Sequence, residues 1–251
     1  MLSKRIIACL DVRNGQVVKG INFEDLRSAG DPAELAERYN QEGIDEVVIL
    51  DVTATIEGRR AMAATVSSVA KRIFIPLTVG GGIRSEDDAA AAIDAGAEKV
   101  SLNTAALTDP TLITRVAARY GSQAAIVAID AKWVDGKAIV YARSGQSGTR
   151  REAVEWAKEA ADRGAGEILL TSIDRDGTKT GFDCELTAAV SRAVPIPVIA
   201  SGGAGSLDHF SDVFVHGCAD AALAASIFHF SEHAVRDLKE LLRDRGIPVR
   251  L

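Results

Sequence analysis

The sequence predicts an α/β fold, a (β/α)8 or TIM barrel with an internal twofold repeat of half-barrels, on three observations. Short apolar runs alternate eight times with longer, Ala-rich amphipathic segments, the pattern of repeated βα units laid into a parallel sheet. Eight such units in 251 residues match the size of a closed barrel. Residues 75–85, IPLTVGGGIRS, recur at 196–206 as IPVIASGGAGS. Two four-unit halves close naturally into a ring, which weighs against the alternative of a doubly wound open sheet. No composition shift or Pro/Ser-rich linker divides the chain, so a single domain over 1–251 is expected, with halves of roughly 1–122 and 123–251.

Taken in order, strands are expected at 5–11, 46–51, 76–79, 99–103, 124–130, 167–172, 197–201 and 221–225. Their apolar runs are nearly continuous rather than alternating, as in strands covered on both faces. Helices lie between them. Asp31-Pro32 and Asp109-Pro110 read as an N-cap followed by Pro at the first helical position, and Ser85 and Ser206 are further candidate caps. Gly43, Gly96, Gly164 and Gly217 read as helix ends. The halves correspond: Asp11 with Asp130, 43–46 with 164–167, and 96–104 with 217–226. The second half has one extra residue near Cys218, assigned to a peripheral turn.

A formal net charge of −6 and a pI near 5.3 disfavour a nucleic-acid partner. No run reaches the ~18 apolar residues of a membrane span, and MLSKRIIACLDV leads into a polar turn rather than a signal-peptide cleavage site. A soluble, cytoplasmic protein is expected. Cys9, Cys184 and Cys218 are far apart and lack CxxC spacing. Only His229 and His233 have the spacing of two ligands on one helix face, and no HExxH-type motif surrounds them. Neither a metal nor a cofactor is expected.

Reactive groups of a barrel stand on the loops after the carboxyl ends of its strands. Asp11 and Asp130 end strands one and five, opposite each other across the mouth, where one carboxyl could give a proton and the other take one. The competing reading makes each a simple turn cap. Asp51, Thr171 and Asp176 follow on the same face, the last within SIDRDGT at 172–178, which an ordinary Asp-Gly turn would also explain.

Each repeated glycine turn leaves a buried strand and enters a helix, so its backbone can approach a ligand closely and offer N–H donors at the positive dipole end. Ser101, Asn103 and Thr104 flank one turn, Ala225 and Ser226 the other. Two separated anion sites imply a ligand with a phosphate at each end. Lys19 lies in the long connection GQVVKGIN at 15–22, either on a mobile lid or as an exposed lysine without a role. At the opposite end Arg5, Glu46, Lys99 and Glu167 begin strands. Alternation puts Arg5 on the side of Asp11, Lys99 on that of Asn103 and Glu167 on that of Thr171. These charges either form a ring about the barrel axis or reach solvent at the rim.

Together these residues resemble the cyclase subunit of imidazole glycerol phosphate synthase, a histidine-biosynthesis barrel. The likeness runs through KRIIACLDV, VVKG, GGGIRS, VSLNTAA, YGSQ, AIDAK, GAGEILLTSIDRDGTK, ASGGAG and ALAASIFHF, essentially the whole chain. The resemblance implies a lyase-type ring closure in which ammonia is added to phosphoribulosyl-formimino-AICAR ribotide, giving imidazole glycerol phosphate and AICAR. It makes Asp11 and Asp130 the acid–base pair and puts Lys19 on the mobile first loop. Gly82, Asn103 and Thr104 would hold one phosphate; Asp176, Gly177, Gly203, Ala225 and Ser226 would lie around the other, with Asp51 and Thr171 on the same substrate face. It also implies a heterodimer with a glutaminase subunit docked at the barrel's bottom, with Arg5, Glu46, Lys99 and Glu167 as the gate to an axial ammonia channel.

Two departures stand out. The segment SGQSGTRR at 144–151 lacks the usual Pro before Thr149 and Gly after it, and the extra residue falls in His216-Gly217-Cys218. The sister isomerase of the same pathway shares the duplicated barrel, both phosphate sites and both aspartates; CLDV, VVKG and the four charges favour the cyclase. A non-catalytic scaffold that only activates a glutaminase would lack the acid–base pair.

Overall fold

Order along the chain follows the doubled pattern. The first half runs β1 (Arg5–Arg13), β2 (Gln16–Ile21), β3 (Glu24–Gly30), α1 (Pro32–Gln41), β4 (Glu46–Asp51), α2 (Ala63–Ala70), β5 (Leu77–Gly80), α3 (Glu86–Asp94), β6 (Lys99–Leu102), α4 (Thr104–Thr108) and α5 (Thr111–Tyr120). After a 3-10 turn at Ser122–Ala124, the second half runs β7 (Ala125–Val134), β8 (Lys137–Ala142), β9 (Ser147–Glu152), α6 (Ala153–Asp162), β10 (Glu167–Ser172), α7 (Cys184–Ser191), β11 (Val198–Ser201), α8 (Leu207–Val215), β12 (Ala221–Ala224), α9 (Ser226–His229) and α10 (Val235–Asp244). This computed structural model describes residues 2–21, 24–51, 63–143, 145–229 and 234–251, without the side chains of 19–29, 226 and 229.

Eight strands pair in parallel in the order β1, β4, β5, β6, β7, β10, β11, β12, and β12 pairs back onto β1. The ring is therefore closed, and all eight expected strands are present. Alternation along each strand sorts the apolar side chains into two cores. On β1, Ile6, Ala8 and Leu10 pack outward with helix residues such as Tyr39, Ile113, Trp156 and Phe210. Ile7 and Cys9 instead point inward beside Val48, Ile126, Leu169, Ile199 and Leu223. On α10, Lys239 is buried; its Nζ donates to Gly43 O at 2.6 Å and Asp45 Oδ1 at 2.9 Å, while Asp45 Oδ2 accepts from Ile6 N. A buried cation must be paired in this way, and here the pairing ties the last helix to the first strands.

The long connection expected to hold 15–22 contains strands: β1 continues past the rim into a hairpin with β2, onto which β3 pairs. The second half repeats the device, β7 running into β8 and then β9. Both first turns are two residues long, Asn14-Gly15 and Asp135-Gly136, with all four φ values between 49° and 77°. Asn-Gly and Asp-Gly are the pairs that type I′ hairpin turns demand, because both central residues need positive φ.

Helix termini follow mostly from capping chemistry. Asp31 accepts from Ala33 N and Glu34 N, Asp109 from Thr111 N, and Ser85 from Asp88 N. Ser206 occupies the N-cap position but makes no side-chain capping bond, which corrects that expectation. Gly217 is a second correction: the left-handed residue after α8 is Cys218, at φ 56°, because the extra residue displaces the turn by one. No helix among the described residues is long and apolar enough to cross a membrane.

Candidate active site

At the carboxyl ends of the barrel strands lies a cavity of about 890 Å³ lined by Asp11, Asp51, Gly82, Asn103, Thr104, Asp130, Thr171, Asp176, Gly177, Gly203 and Ala225. Strand alternation brings them together: Asp11 shares the inward face of Cys9, Asp130 that of Ala128 and Thr171 that of Leu169. β1 and β7 stand four strands apart in either direction around the ring, so the two aspartates face each other across the mouth. Lys19 lies on β2 and Ser226 at the start of α9, but both side chains fall outside the described residues.

The two carboxyls have different surroundings. Asp130 Oδ2 accepts from Asn103 Nδ2 at 2.9 Å. Burial raises its pKa, the Asn103 bond lowers it and the Asp176 charge raises it, leaving the group pushed up to about 6. Such a carboxyl exchanges its proton near neutrality, as acid–base work requires. Asp11 Oδ1 accepts instead from the Cys9 thiol at 3.5 Å. Among the described residues Asn103 Oδ1 is buried with no hydrogen-bond partner, an acceptor beside Asp130 that a ligand donor would satisfy.

Glycine is required in both turns that flank the cavity. Gly81 and Gly82 have φ of 85° and 75°, Gly202 and Gly203 of 91° and 100°. A Cβ on Gly81 would lie 2.3 Å from Asp51 O, and one on Gly203 would lie 2.2 Å from Gly181 O. Each turn leads into the first residues of a helix, α3 or α8, where backbone donors and the dipole favour an anion.

Below the cavity, at the start of the strands, Arg5, Glu46, Lys99 and Glu167 form a closed cycle of ion pairs. Arg5 donates to Glu46 and, through both Nη atoms, to Glu167; Lys99 Nζ reaches Glu46 at 3.0 Å and Glu167 at 2.9 Å. The side chain of Glu46 is only 5% exposed, so these groups face each other rather than the rim. Burial alone would raise Glu167, but Arg5 and then Lys99 outweigh it and hold the carboxyl below its usual range. Arg5 is raised in turn: the Glu167 bond and the charges of Glu46 and Glu167 overcome the opposing effect of burial.

Sequence reasoning passed over Cys9, Arg84, Lys132, Arg143 and Lys179, which also line the cavity. Alternation carried the signal for Cys9 and Lys132, two residues either side of an inward aspartate. Arg143 carried none, since it arrives on the unrecognised hairpin, where its N donates to Thr104 Oγ1 at 3.0 Å. The departing segment 144–151 supplies most of β9: Thr149 Oγ1 donates to Val140 O, and Arg151 stacks over Trp156 while pairing with Glu159 at 2.6 Å. Ser144 lies outside the described residues. Among the described residues no cluster of His, Cys, Asp and Glu could hold a metal ion; His233 and the side chain of His229 are not among them.

Comparison with known proteins agrees with this architecture. Residues 5–234 match the family model described as histidine biosynthesis protein. The chain is 62% identical over its full length to the imidazole glycerol phosphate synthase subunit HisF of Acidobacterium capsulatum, covering 99% of that protein. It is 60% identical to the subunits of the same name from Chlorobium phaeobacteroides and Chlorobium luteolum, with both chains covered completely. A family match over most of the chain and full-length identity of this degree leave one assignment: the chain belongs to the histidine biosynthesis protein family, within it to the HisF cyclase subunits of imidazole glycerol phosphate synthase.

Proposed function

We propose that this chain, as one barrel domain over 1–251 with half-barrels of about 1–122 and 123–251, closes the imidazole ring. Ammonia is added to phosphoribulosyl-formimino-AICAR ribotide, giving imidazole glycerol phosphate and AICAR. The observation that carries the reading is two glycine turns on one cavity with two strand-end aspartates facing each other between them. Gly82, Asn103 and Thr104 take one phosphate of the substrate; Asp176, Gly177, Gly203, Ala225 and Ser226 take the other. Fixing both ends holds the reacting centre between Asp11 and Asp130. One aspartate then gives a proton to departing oxygen while the other takes one from nitrogen. Asp51 and Thr171 line the substrate between these points, and Lys19 closes over it from the first hairpin.

The partner is a glutaminase subunit that docks at the strand-start face and passes ammonia through the ring of Arg5, Glu46, Lys99 and Glu167. Two observations support this direction. The four side chains meet inside the barrel, and the inner wall includes the small Ala221 level with Arg5 and the small Ala128 above Glu167. Leu2, Phe74, Val215 and Leu251, four of the five exposed large hydrophobics among the described residues, belong to segments at the strand-start end, the end at which a protein partner would cover them.

The test is cyclisation by the purified chain with ammonium salt, then with glutamine plus the glutaminase subunit, each followed by AICAR release. Asp11→Asn abolishes ammonium-driven turnover without loss of fold; unchanged turnover refutes its role. Isomerisation of the preceding ribotide without ammonia-dependent cyclisation would favour the sister isomerase instead.

A further inference from the structure

The duplicated halves brace their two glycine turns from the same place with different chemistry. In the first half Arg84 N donates to Asp88 Oδ2 at 3.0 Å, and Asp88 also accepts from Ser85 Oγ. In the second half the equivalent donor is Gly205 N, and it donates to His209 Nδ1 at 3.1 Å. Both acceptors stand three residues after the Ser that starts the helix. Because a backbone N–H can only donate, Nδ1 of His209 is the unprotonated nitrogen and the ring is neutral with its proton on Nε2. One turn is thus braced by a carboxylate, the other by an uncharged ring.

The neighbouring residue makes this difference necessary. The first turn carries Arg84, a cation that lines the cavity. At the matching position the second turn has Gly205, where an added Cβ would lie 2.2 Å from Lys179 O. The segment through Lys179 and Gly181 crosses this turn, Gly181 N donating to Gly203 O at 2.8 Å, and a Cβ at Gly181 would rest 3.5 Å from the His209 ring. No arginine fits at 205, so a carboxylate at 209 would set a negative charge beside an anion site without the arginine that the first turn carries.

We propose that His209 is a positioning residue for the second phosphate turn: it holds Gly205 N, and with it the turn, through an acceptor that adds no negative charge. This rests on the reading that the turn at 202–205 binds a phosphate of the substrate. His209 does not touch the reacting atoms; it acts through the backbone that does the binding.

The experiment compares His209→Asn, His209→Asp and His209→Leu in ammonium-driven cyclisation, with thermal midpoints as the control for folding. Asn and Asp have one shape and both accept a hydrogen bond, so a purely structural role treats them alike. Expected is a KM for the bisphosphate close to the parent's with Asn, which rescues the brace, and about tenfold or more higher with Asp through charge repulsion. Leu, which loses the acceptor, raises KM to a lesser degree, and in all three the effect falls on KM more than on kcat. Equal KM values for Asn and Asp, or an unchanged KM with Leu, overturn the proposal. Should the Asp variant fail to fold, His209→Gln and His209→Glu repeat the comparison. Titration with inorganic phosphate separates this idea from the cyclase reading: absent turnover by the parent chain sinks that reading, while loss of one phosphate site in Asp but not in Asn still upholds the role of His209. Phosphate binding that is the same in both overturns it.

Discussion

Asp130 shows how far a single side chain is set by its neighbours. Its ionisation near pH 6 is the sum of burial, which raises it, the Asn103 hydrogen bond, which lowers it, and the Asp176 charge, which raises it. We propose that Asp130 is the base of the pair; it then works deprotonated, so kcat/KM is expected to fall as pH drops through about 6. Asn103→Leu removes the bond that favours the charged form and moves this limb to higher pH. Asp176→Asn removes a repelling charge and moves it to lower pH. Both shifts are read from kcat/KM profiles at constant unprotonated ammonia; a limb unmoved by either change would separate the ionisation from Asp130. The identity of Asp130 as a candidate was legible from its place at a strand end. Its pKa was not, because Asn103 stands on β6 and Asp176 in the loop after β10.

At the scale of elements, the hairpins are the clearest lesson. Asn14-Gly15 and Asp135-Gly136 carried a strong hairpin signal, but a barrel template assigns everything after a strand to a loop, and that prior overrode the local chemistry. Arg143 reaches the cavity only on the second hairpin. Gly136 has φ 77° and nothing within 4 Å of an added Cβ. Gly136→Ala therefore pays conformational strain alone, about 1 kcal/mol in a urea titration, and it raises KM if the strained turn displaces Arg143. The eight strands and most helix ends were legible, because continuous apolar runs, Asp-Pro caps and glycine ends are local signals. Ser206 stands at the N-cap position without a capping bond, and the extra residue moves the left-handed position from Gly217 to Cys218.

The whole molecule decides how distant charges meet. Arg5 and Glu167 are 162 residues apart and pair only because the strands close into a ring. Glu167→Ala leaves Arg5 and Lys99 facing each other with Glu46 as their only remaining partner in the cycle, and is expected to cost about 3–5 kcal/mol in denaturant unfolding. A loss below about 1 kcal/mol would mean that water, not Glu167, balances these cations. At the same end Phe74 is 95% exposed. Phe74→Asp leaves ammonium-driven turnover unchanged and weakens glutamine-driven turnover at limiting glutaminase by about tenfold or more, as loss of an aromatic interface anchor does. Equal effects on both activities would move the docking surface elsewhere.

By itself the sequence determined the order of the eight barrel strands and the helices between them, the duplication, the two glycine turns and the aspartates that end the barrel stretches of β1 and β7. Each of these follows from side-chain periodicity or backbone freedom within a few residues. Only the tertiary structure decided that the four strand-start charges form one cycle, that Asn103 tunes Asp130 while Cys9 meets Asp11, and that the two turns are braced by a carboxylate and by an imidazole. The first depends on closure of the ring, which sets Arg5 and Glu167 side by side across 162 residues; the others depend on which neighbour the packing leaves within hydrogen-bond reach.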